Sequence, residues 1–233
     1  MNRFQSLIAA GVLAMPGLAE AFANPDPVVA SLIIDQLELS KTGDDEAWAL
    51  DSEISLGRDL NKFVLTLEGE KEGADKDLEV QALYSKAVAP YWDLQLGLRQ
   101  DLEPGPERSW GVIGLQGLAP YLIEVDAALF VGESGRTALR LEAEHDILLT
   151  QRWILTPELE LDLYGKDDPQ RHIGSGLASA EAGLRLRYEI RREFAPYVGL
   201  QWEKSYGETG DLLEAAGEER SDTRWLVGIR AWF

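Results

Sequence analysis

Apolar and polar residues alternate with period two along most of the chain. In the segment that begins at Trp92, one parity is apolar and the other is polar or charged. Such alternation is typical of a β-strand with one apolar and one polar face. The same pattern, in places weaker, recurs in segments that begin near Ile33, Trp48, Phe63, Leu78, Trp110, Tyr121, Leu139, Trp153, Ala182, Val198 and Trp225. The sequence therefore predicts an all-β fold with about twelve antiparallel strands.

The connections between these segments alternate in length. Those after even-numbered strands are short, whereas most of those after odd-numbered strands are longer and rich in Gly, Asp, Glu and Pro. Up-and-down transmembrane β-barrels show this alternation, with short turns on the periplasmic side and longer loops outside. The predicted long loops are 40–46, 70–77, 101–109, 132–136, 165–179 and 206–222.

Aromatic residues are predicted to lie near both ends of the strands, as expected for the two interfaces of a membrane. A soluble sandwich or lipocalin-like barrel is the alternative, but it needs a second apolar layer that the sequence does not supply. The last segment ends in Phe233, which resembles the C-terminal signal of bacterial outer-membrane barrels. The residues assigned to the turn side are Tyr91, Trp92, Tyr121, Trp153, Tyr188, Tyr197 and Phe233. Those assigned to the loop side are Trp48, Trp110, Tyr164, Trp202, Tyr206 and Trp225.

The first residues have the features of a secretory signal peptide. Arg3 supplies an early positive charge, residues 4–18 are apolar, and Ala21 and Ala23 form a small-x-small cleavage site. We therefore assign 1–23 to a signal peptide, 24–31 to a short periplasmic segment and 32–233 to the barrel. No later run of about 18 apolar residues predicts a transmembrane helix. These features predict a location in the outer membrane of a Gram-negative bacterium.

Composition and charge narrow the function classes. The chain has 41 Asp and Glu against 22 Lys and Arg, a net charge of -19, so we expect no nucleic-acid partner. Cysteine is absent, which excludes disulfides, thiolate metal sites and cysteine nucleophiles. His145 has no evident serine neighbour for a hydrolase site in the barrel wall. We therefore expect that the protein is not an enzyme.

The parity predicted to face the lumen carries more acidic than basic residues, and two interpretations stay open. In the first, arginine–carboxylate networks fill a narrow lumen, and the expected ion-pair residues are Arg140, Arg185, Arg187 and Glu181. In the second, the excess carboxylates of the seventh to ninth strands form a cation path or weak oxygen ligands. The candidate metal-binding residues are Glu142, Glu144, Asp146, Glu160, Asp162 and, in a loop, His172.

Several long stretches of the sequence resemble the copper resistance protein B family. The likeness extends from about Asp35 to Phe233. Its clearest motifs are APYWDLQ at 89–95, GLQGLAPY at 114–121, RTALRLEAE at 136–144, LDLYGKDDP at 161–169 and LRLRYEIRREFAPY at 184–197, with further likeness at 63–84 and 173–177. The resemblance implies an outer-membrane barrel associated with copper tolerance.

The resemblance also implies ligands and partners. Copper ions are expected as a ligand or substrate rather than as a tightly bound cofactor, and membrane lipid surrounds the barrel. A periplasmic copper oxidase or copper carrier is a candidate partner. Members of the family commonly carry a Met- and His-rich segment before the barrel, whereas residues 24–32 contain neither residue. Handling of copper is therefore expected of the barrel itself or of a partner; the alternative is a structural or partner-binding barrel without a conducted substrate.

Overall fold

The structure, a computed structural model, describes residues 26–42, 45–72, 75–103 and 105–233. Twelve strands account for most of this part of the chain. They are β1 Val29–Thr42, β2 Asp45–Arg58, β3 Asn61–Glu72, β4 Asp75–Ala89, β5 Trp92–Glu103, β6 Arg108–Ala119, β7 Ile123–Gly132, β8 Thr137–His145 continued by Ile147–Leu148, β9 Trp153–Tyr164, β10 Gly176–Tyr188, β11 Phe194–Ser205 and β12 Ser221–Trp232.

Every strand pairs antiparallel with the next one, and β1 pairs with β12 to close the sheet. The closing ladder runs from Ile33 opposite Trp232 to Lys41 opposite Trp225. Closure removes free sheet edges, so the strands satisfy one another's backbone hydrogen bonds. The predicted up-and-down barrel of about twelve strands is therefore confirmed.

The alternation of the sequence becomes an apolar outer wall and a polar interior. Leu98 on β5 points outward and is 70% exposed, while its neighbour Arg99 points inward and is 8% exposed. A soluble barrel has the opposite arrangement, because its apolar side chains fill the interior. The interior nevertheless contains an apolar cluster on the β3 to β8 side, formed by Val64, Leu83, Trp110, Val112, Ala128, Phe130 and Ala138.

The two ends of the barrel differ, and we call them the turn end and the loop end. The turn end carries the short connections 59–60, 90–91, 120–122, 149–152 and 189–193, together with the start of β1 and the end of β12. The loop end carries the longer connections 165–175 and 206–220. Strand β1 begins at Val29, slightly before residue 32, where the sequence predicts the barrel to begin. The predicted signal peptide 1–23 lies outside the described residues.

Two of the predicted long loops are wrong. Thr42 pairs directly with Asp45, and Glu72 pairs with Asp75, so tight hairpins replace the loops predicted at 40–46 and 70–77. The prediction of loops rests on the charged side chains in these two segments, because polar residues are expected to end a strand. Backbone hydrogen bonding between strands does not depend on whether the side chains are polar. The strands therefore stay paired through these charged segments.

The predicted loop 206–222 contains an α-helix, α1, at Gly207–Ala216. It ends in a left-handed glycine, Gly217, whose N–H donates to the carbonyl groups of Leu213 and Glu214. The hydroxyl of Thr209 accepts a hydrogen bond from the Gly174 N–H at 2.9 Å, which ties the helix to the loop 165–175. Within the described part of the chain, no helix is long and apolar enough to cross a membrane.

Most of the aromatic residues face outward as predicted, but three do not. Tyr91, Tyr121, Trp225 and Phe233 are each more than two-thirds exposed on the outer wall or at its ends. Trp110 and Tyr197 are instead buried in the interior, and Tyr164 lines an interior cavity. Each of these three has the inward parity of its own strand. Their assignment to an outer aromatic belt is therefore wrong.

Candidate functional site

The described residues enclose two large polar cavities inside the barrel, one above the other. The loop-end cavity has a volume of about 490 Å³ and is bordered by the loop residues Asp168 and His172. The turn-end cavity has a volume of about 580 Å³ and reaches Asp93 and Leu118. The residues that line both cavities are Asp51, Glu68, Arg140, Glu142 and Glu158. These residues therefore mark the level at which the lumen is divided.

Arg140 on β8 is the centre of the largest ion-pair network. Its Nη1 atom lies 3.0 Å from Glu68 Oε2 and its Nη2 atom 3.5 Å from Glu79 Oε2. These partners are on β3 and β4, nearly opposite β8 in a barrel of twelve strands. On its own side, Arg140 Nε lies 3.3 Å from Glu160 and 3.2 Å from Asp162. Arg140 thus joins both walls of the lumen.

A second arginine, Arg99, anchors Glu79, the partner of Arg140 on β4. Arg99 on β5 holds Glu79 and Asp101, each at 2.6 Å. Its guanidinium lies 4.6 Å from the ring centre of Phe130, a favourable cation–π geometry. The indole N–H of Trp110 donates to Asp101 at 2.9 Å. Glu79 and Asp101 are therefore fixed and screened by the apolar cluster beside them.

Three further arginines join strands that are not neighbours in the sheet. Burial of a charged side chain costs free energy unless an oppositely charged partner lies close to it. The pairs are Arg185 with Glu38 at 2.7 Å, Arg224 with Glu70 at 2.7 Å and Arg230 with Glu144 at 3.6 Å.

The predicted ion-pair residues differ in their surroundings. Arg140, Arg185 and Arg187 all contact carboxylates, and the partner of Arg187 is Asp146. Glu181 takes part in no ion pair among the described residues, because the register places it opposite Glu160 on one side and Glu203 on the other. The expectation that Glu181 is neutralised by an arginine is therefore not met.

Glu181 belongs to an oblique row of acidic residues on five neighbouring strands, which we call the carboxylate row. Its members are directly opposite one another in the ladders from β7 to β11. The row starts near the turn end and finishes near the loop end, because the strands are tilted in a barrel. Like charges in opposed positions disfavour a sheet, so the row is costly for folding. Its members are Asp126, Glu142, Glu160, Glu181 and Glu203.

The six predicted metal-binding residues do not form one site. Glu142 and Glu160 belong to the carboxylate row, and Asp162 lies beside Glu160 at Arg140. Glu144 and Asp146 lie nearer the turn end, while His172 lines the loop-end cavity. Among the described residues, no group of three or more His, Cys, Asp or Glu side chains is arranged to hold a metal ion. The predicted residues are therefore distributed along the lumen.

Sequence reasoning missed Glu38 and its neighbourhood on β1. The register of β1 shifts between Ile34 and Gln36, which indicates a β-bulge. Asp35 and Gln36 consequently both reach the interior, although they are adjacent in sequence. A strict period-two count fails at such a point. The weak alternation of this segment is the only sequence signal for the bulge.

The loop 165–175 is anchored at the loop end by Asp168. Arg108 donates to this carboxylate through Nε at 2.8 Å, and Arg136 Nε lies 3.2 Å away. Desolvation opposes ionisation of Asp168, but the hydrogen bond and charge of Arg108 and the charge of Arg136 outweigh it and lower the pKa of Asp168. His172, in the left-handed conformation, follows in the same loop. The anchored loop thus holds His172 at the loop-end cavity.

Comparison with known proteins identifies relatives over nearly the whole described chain. The family model described as copper resistance protein B precursor matches residues 28–233, and the word precursor agrees with the predicted signal peptide. A copper resistance protein B homolog of Pseudomonas syringae pv. tomato is 46% identical over 202 residues, covering 86% of this chain and 69% of that protein. Copper resistance protein B of Escherichia coli is 43% identical over 205 residues, covering 87% and 69%.

Solved structures support the fold. The NanC porin has a TM-score of 0.58 at 12% identity, with 87% of this chain and 99% of that chain covered. The KdgM porin has a TM-score of 0.53 at 16% identity, with the same coverage. The barrel thus resembles outer-membrane porins in architecture, whereas the relatives in sequence define its family. The chain belongs to the copper resistance protein B family.

Proposed function

We propose that this barrel lies in the outer membrane of a Gram-negative bacterium and contributes to copper tolerance by passing copper ions through its acidic lumen. Family membership supports the link to copper, and the apolar outer wall supports a membrane location. The observation that carries the proposal is the carboxylate row, which connects the two cavities from near one end of the barrel to near the other.

The chemistry of the row favours passage of copper over tight capture. Carboxylate oxygen is a weaker ligand for copper than imidazole or thioether sulfur. Conduction requires several sites that bind strongly enough for entry and weakly enough for release. Neighbouring members of the row are separated by about 5 Å between Cβ atoms, so an ion can move between them in short steps. The copper affinity and the spacing of the carboxylates in the row therefore suit transfer of the ion from one to the next.

His172 offers a first contact for copper at the loop end. Imidazole binds copper well, and His172 lines the loop-end cavity on an anchored loop. At the turn end, a periplasmic copper oxidase or copper carrier is the partner that would exchange copper with the barrel. In this proposal the protein is not an enzyme, and His145 is bound to the carbonyl oxygen of Leu122 at 3.1 Å.

Copper uptake by liposomes that contain the purified barrel tests the proposal. We expect the triple variant E142Q/E160Q/E181Q to lower copper uptake severalfold, because it removes three neighbouring charges from the carboxylate row. The matched control is E107Q/E218Q/E219Q, which removes three charges from exposed positions at the loop end and should leave uptake unchanged. Equal uptake by the row variant and the wild type contradicts the proposed path, provided that both show the same heat-dependent gel mobility.

A second candidate is a structural or partner-binding barrel with no conducted substrate. The observation that favours it is the set of arginines that cross the lumen, since such contacts fill and stiffen a narrow barrel. Copper uptake by liposomes also distinguishes this candidate from the proposed copper path. Wild-type liposomes that take up no more copper than empty ones would favour the second candidate.

A further inference from the structure

Of the five residues that line both cavities, Arg140 is the one with a basic side chain. Arg140 borders both cavities, and its partners Glu68 and Glu79 are on the opposite wall. Its side chain is only 13% exposed, although it stands between two open spaces. A guanidinium stays protonated throughout the accessible pH range, so Arg140 cannot lose its charge to let a cation pass.

The contacts of Arg140 form two alternative sets. Across the lumen it contacts Glu68 and Glu79, and on its own side it contacts Glu160 and Asp162. If a cation takes the first pair of carboxylates, the second pair still neutralises the arginine. Displacement of Arg140 from the far wall therefore does not leave a buried charge without a partner, which would be costly.

We infer that Arg140 closes the lumen and determines which cations pass. This inference rests on the proposed function and names the residue that sets its selectivity. A monovalent cation such as K⁺ is repelled by the guanidinium and binds carboxylates too weakly to displace it. A divalent cation that coordinates oxygen directly, such as Cu²⁺, carries twice the charge and takes Glu68 and Glu79 from Arg140. The arginine then moves towards Glu160 and Asp162, and the two cavities become continuous.

The first test measures conductance of planar bilayers in KCl without copper, using the full-length mature barrel. We expect R140Q to raise K⁺ conductance by about tenfold, which corresponds to lowering a barrier by about 1.4 kcal/mol. The matched control is R187Q. Arg187 is also buried, but it contacts Thr156 on the adjacent strand β9 and Asp146 on β8, the next strand along, rather than the far wall. Equal conductance of R140Q and the wild type overturns the inference.

A second variant keeps the inference testable if R140Q does not fold. E68Q leaves Arg140 in place with Glu160 and Asp162, but removes the closer of the two charges that hold it to the far wall and spares Glu79, which Arg99 also holds. We expect K⁺ conductance to rise in this variant too, and an unchanged value contradicts the inference. Heat-dependent gel mobility verifies that each variant has folded.

Copper uptake by the same liposomes separates this inference from the proposed function. If R140Q conducts more K⁺ but the wild type passes no copper, Arg140 closes the lumen and the proposed function fails. If the wild type passes copper and R140Q conducts K⁺ no better than before, the proposed function holds and Arg140 is not the closing residue. We expect copper uptake by the wild type and a loss of discrimination between Cu²⁺ and K⁺ in R140Q.

Discussion

The acidic residues of the lumen fall into two groups with different surroundings. On β1, β4 and β5, the carboxylates of Glu38, Glu79 and Asp101 are at most 7% exposed, and arginines hold each of them. In the carboxylate row, the side chains of Glu142 and Glu203 also lie within 4.0 Å of an arginine, but they are more than 40% exposed. We call the first group the held acids. One residue type thus has two kinds of surroundings here: the held acids are buried against arginines, whereas the carboxylate row leaves carboxyl groups accessible in the cavities.

The comparison predicts the largest effect where a held acid loses its arginine. Arg185→Ala leaves Glu38 and Glu158 without this partner and should lower the free energy of unfolding by about 3–5 kcal/mol. Urea unfolding of the barrel in lipid vesicles measures the change. R185A with the stability of the wild type would show that the held acids do not stabilise the barrel.

A smaller effect is expected from the hydrogen bond that Trp110 gives to Asp101. Trp110→Phe preserves most of the ring but removes the donor from a buried carboxylate, at an expected cost of about 1–3 kcal/mol. Trp225→Phe is the matched control, because Trp225 is 73% exposed on the outer wall. The same unfolding measurement should show a clearly smaller loss for W225F. Equal losses would mean that ring size, rather than the bond to Asp101, matters.

Asp168 extends the group of held acids to a loop and predicts a dependence on pH. Because folding lowers its pKa below the ordinary value of 3.8, its stabilising effect is complete above that value and is lost as pH falls through the lowered pKa. The loop 165–175 should therefore stay protected from hydrogen exchange at pH 5 and lose protection below about pH 4. In Asp168→Asn, protection should be reduced already at pH 5. A wild-type loop that opens between pH 5 and 7 would contradict this assignment.

The sequence predicted the barrel well because strands with an apolar outer face and a polar inner face leave a strong local signal. An apolar outer face and a polar inner face impose period two, and the short turns fix the direction of each strand. The same signal identified the inward parity of Glu142 and Glu160, which line the loop-end cavity. Both predictions rest on the period-two pattern within single strands and need no contact between distant segments.

The remaining features depend on contacts that a single-strand pattern does not contain. The bulge near Asp35 shifts the parity of β1, so Glu38 was not recognised as an inward residue. The partners Arg140 and Glu68 are 72 positions apart in sequence, and only closure of the barrel brings them together. Helix α1 was missed because Gly207 and Gly210 have low helix propensity. Its hydrogen bond with Gly174 is made to another loop, so the local sequence does not reveal it.

The smallest predicted effect has the opposite sign and tests the carboxylate row most directly. Glu181→Gln removes one of three like charges that stand opposite one another on β9, β10 and β11. Since no arginine is lost as a partner among the described residues, stability should rise by about 0.2–1 kcal/mol. Glu158→Gln on β9 is the control, because it weakens the pair with Arg185 and should destabilise the barrel by about 1 kcal/mol or more. Urea unfolding should thus move the two variants in opposite directions. If E181Q destabilised the barrel as E158Q does, Glu181 would not differ from an acid that an arginine neutralises.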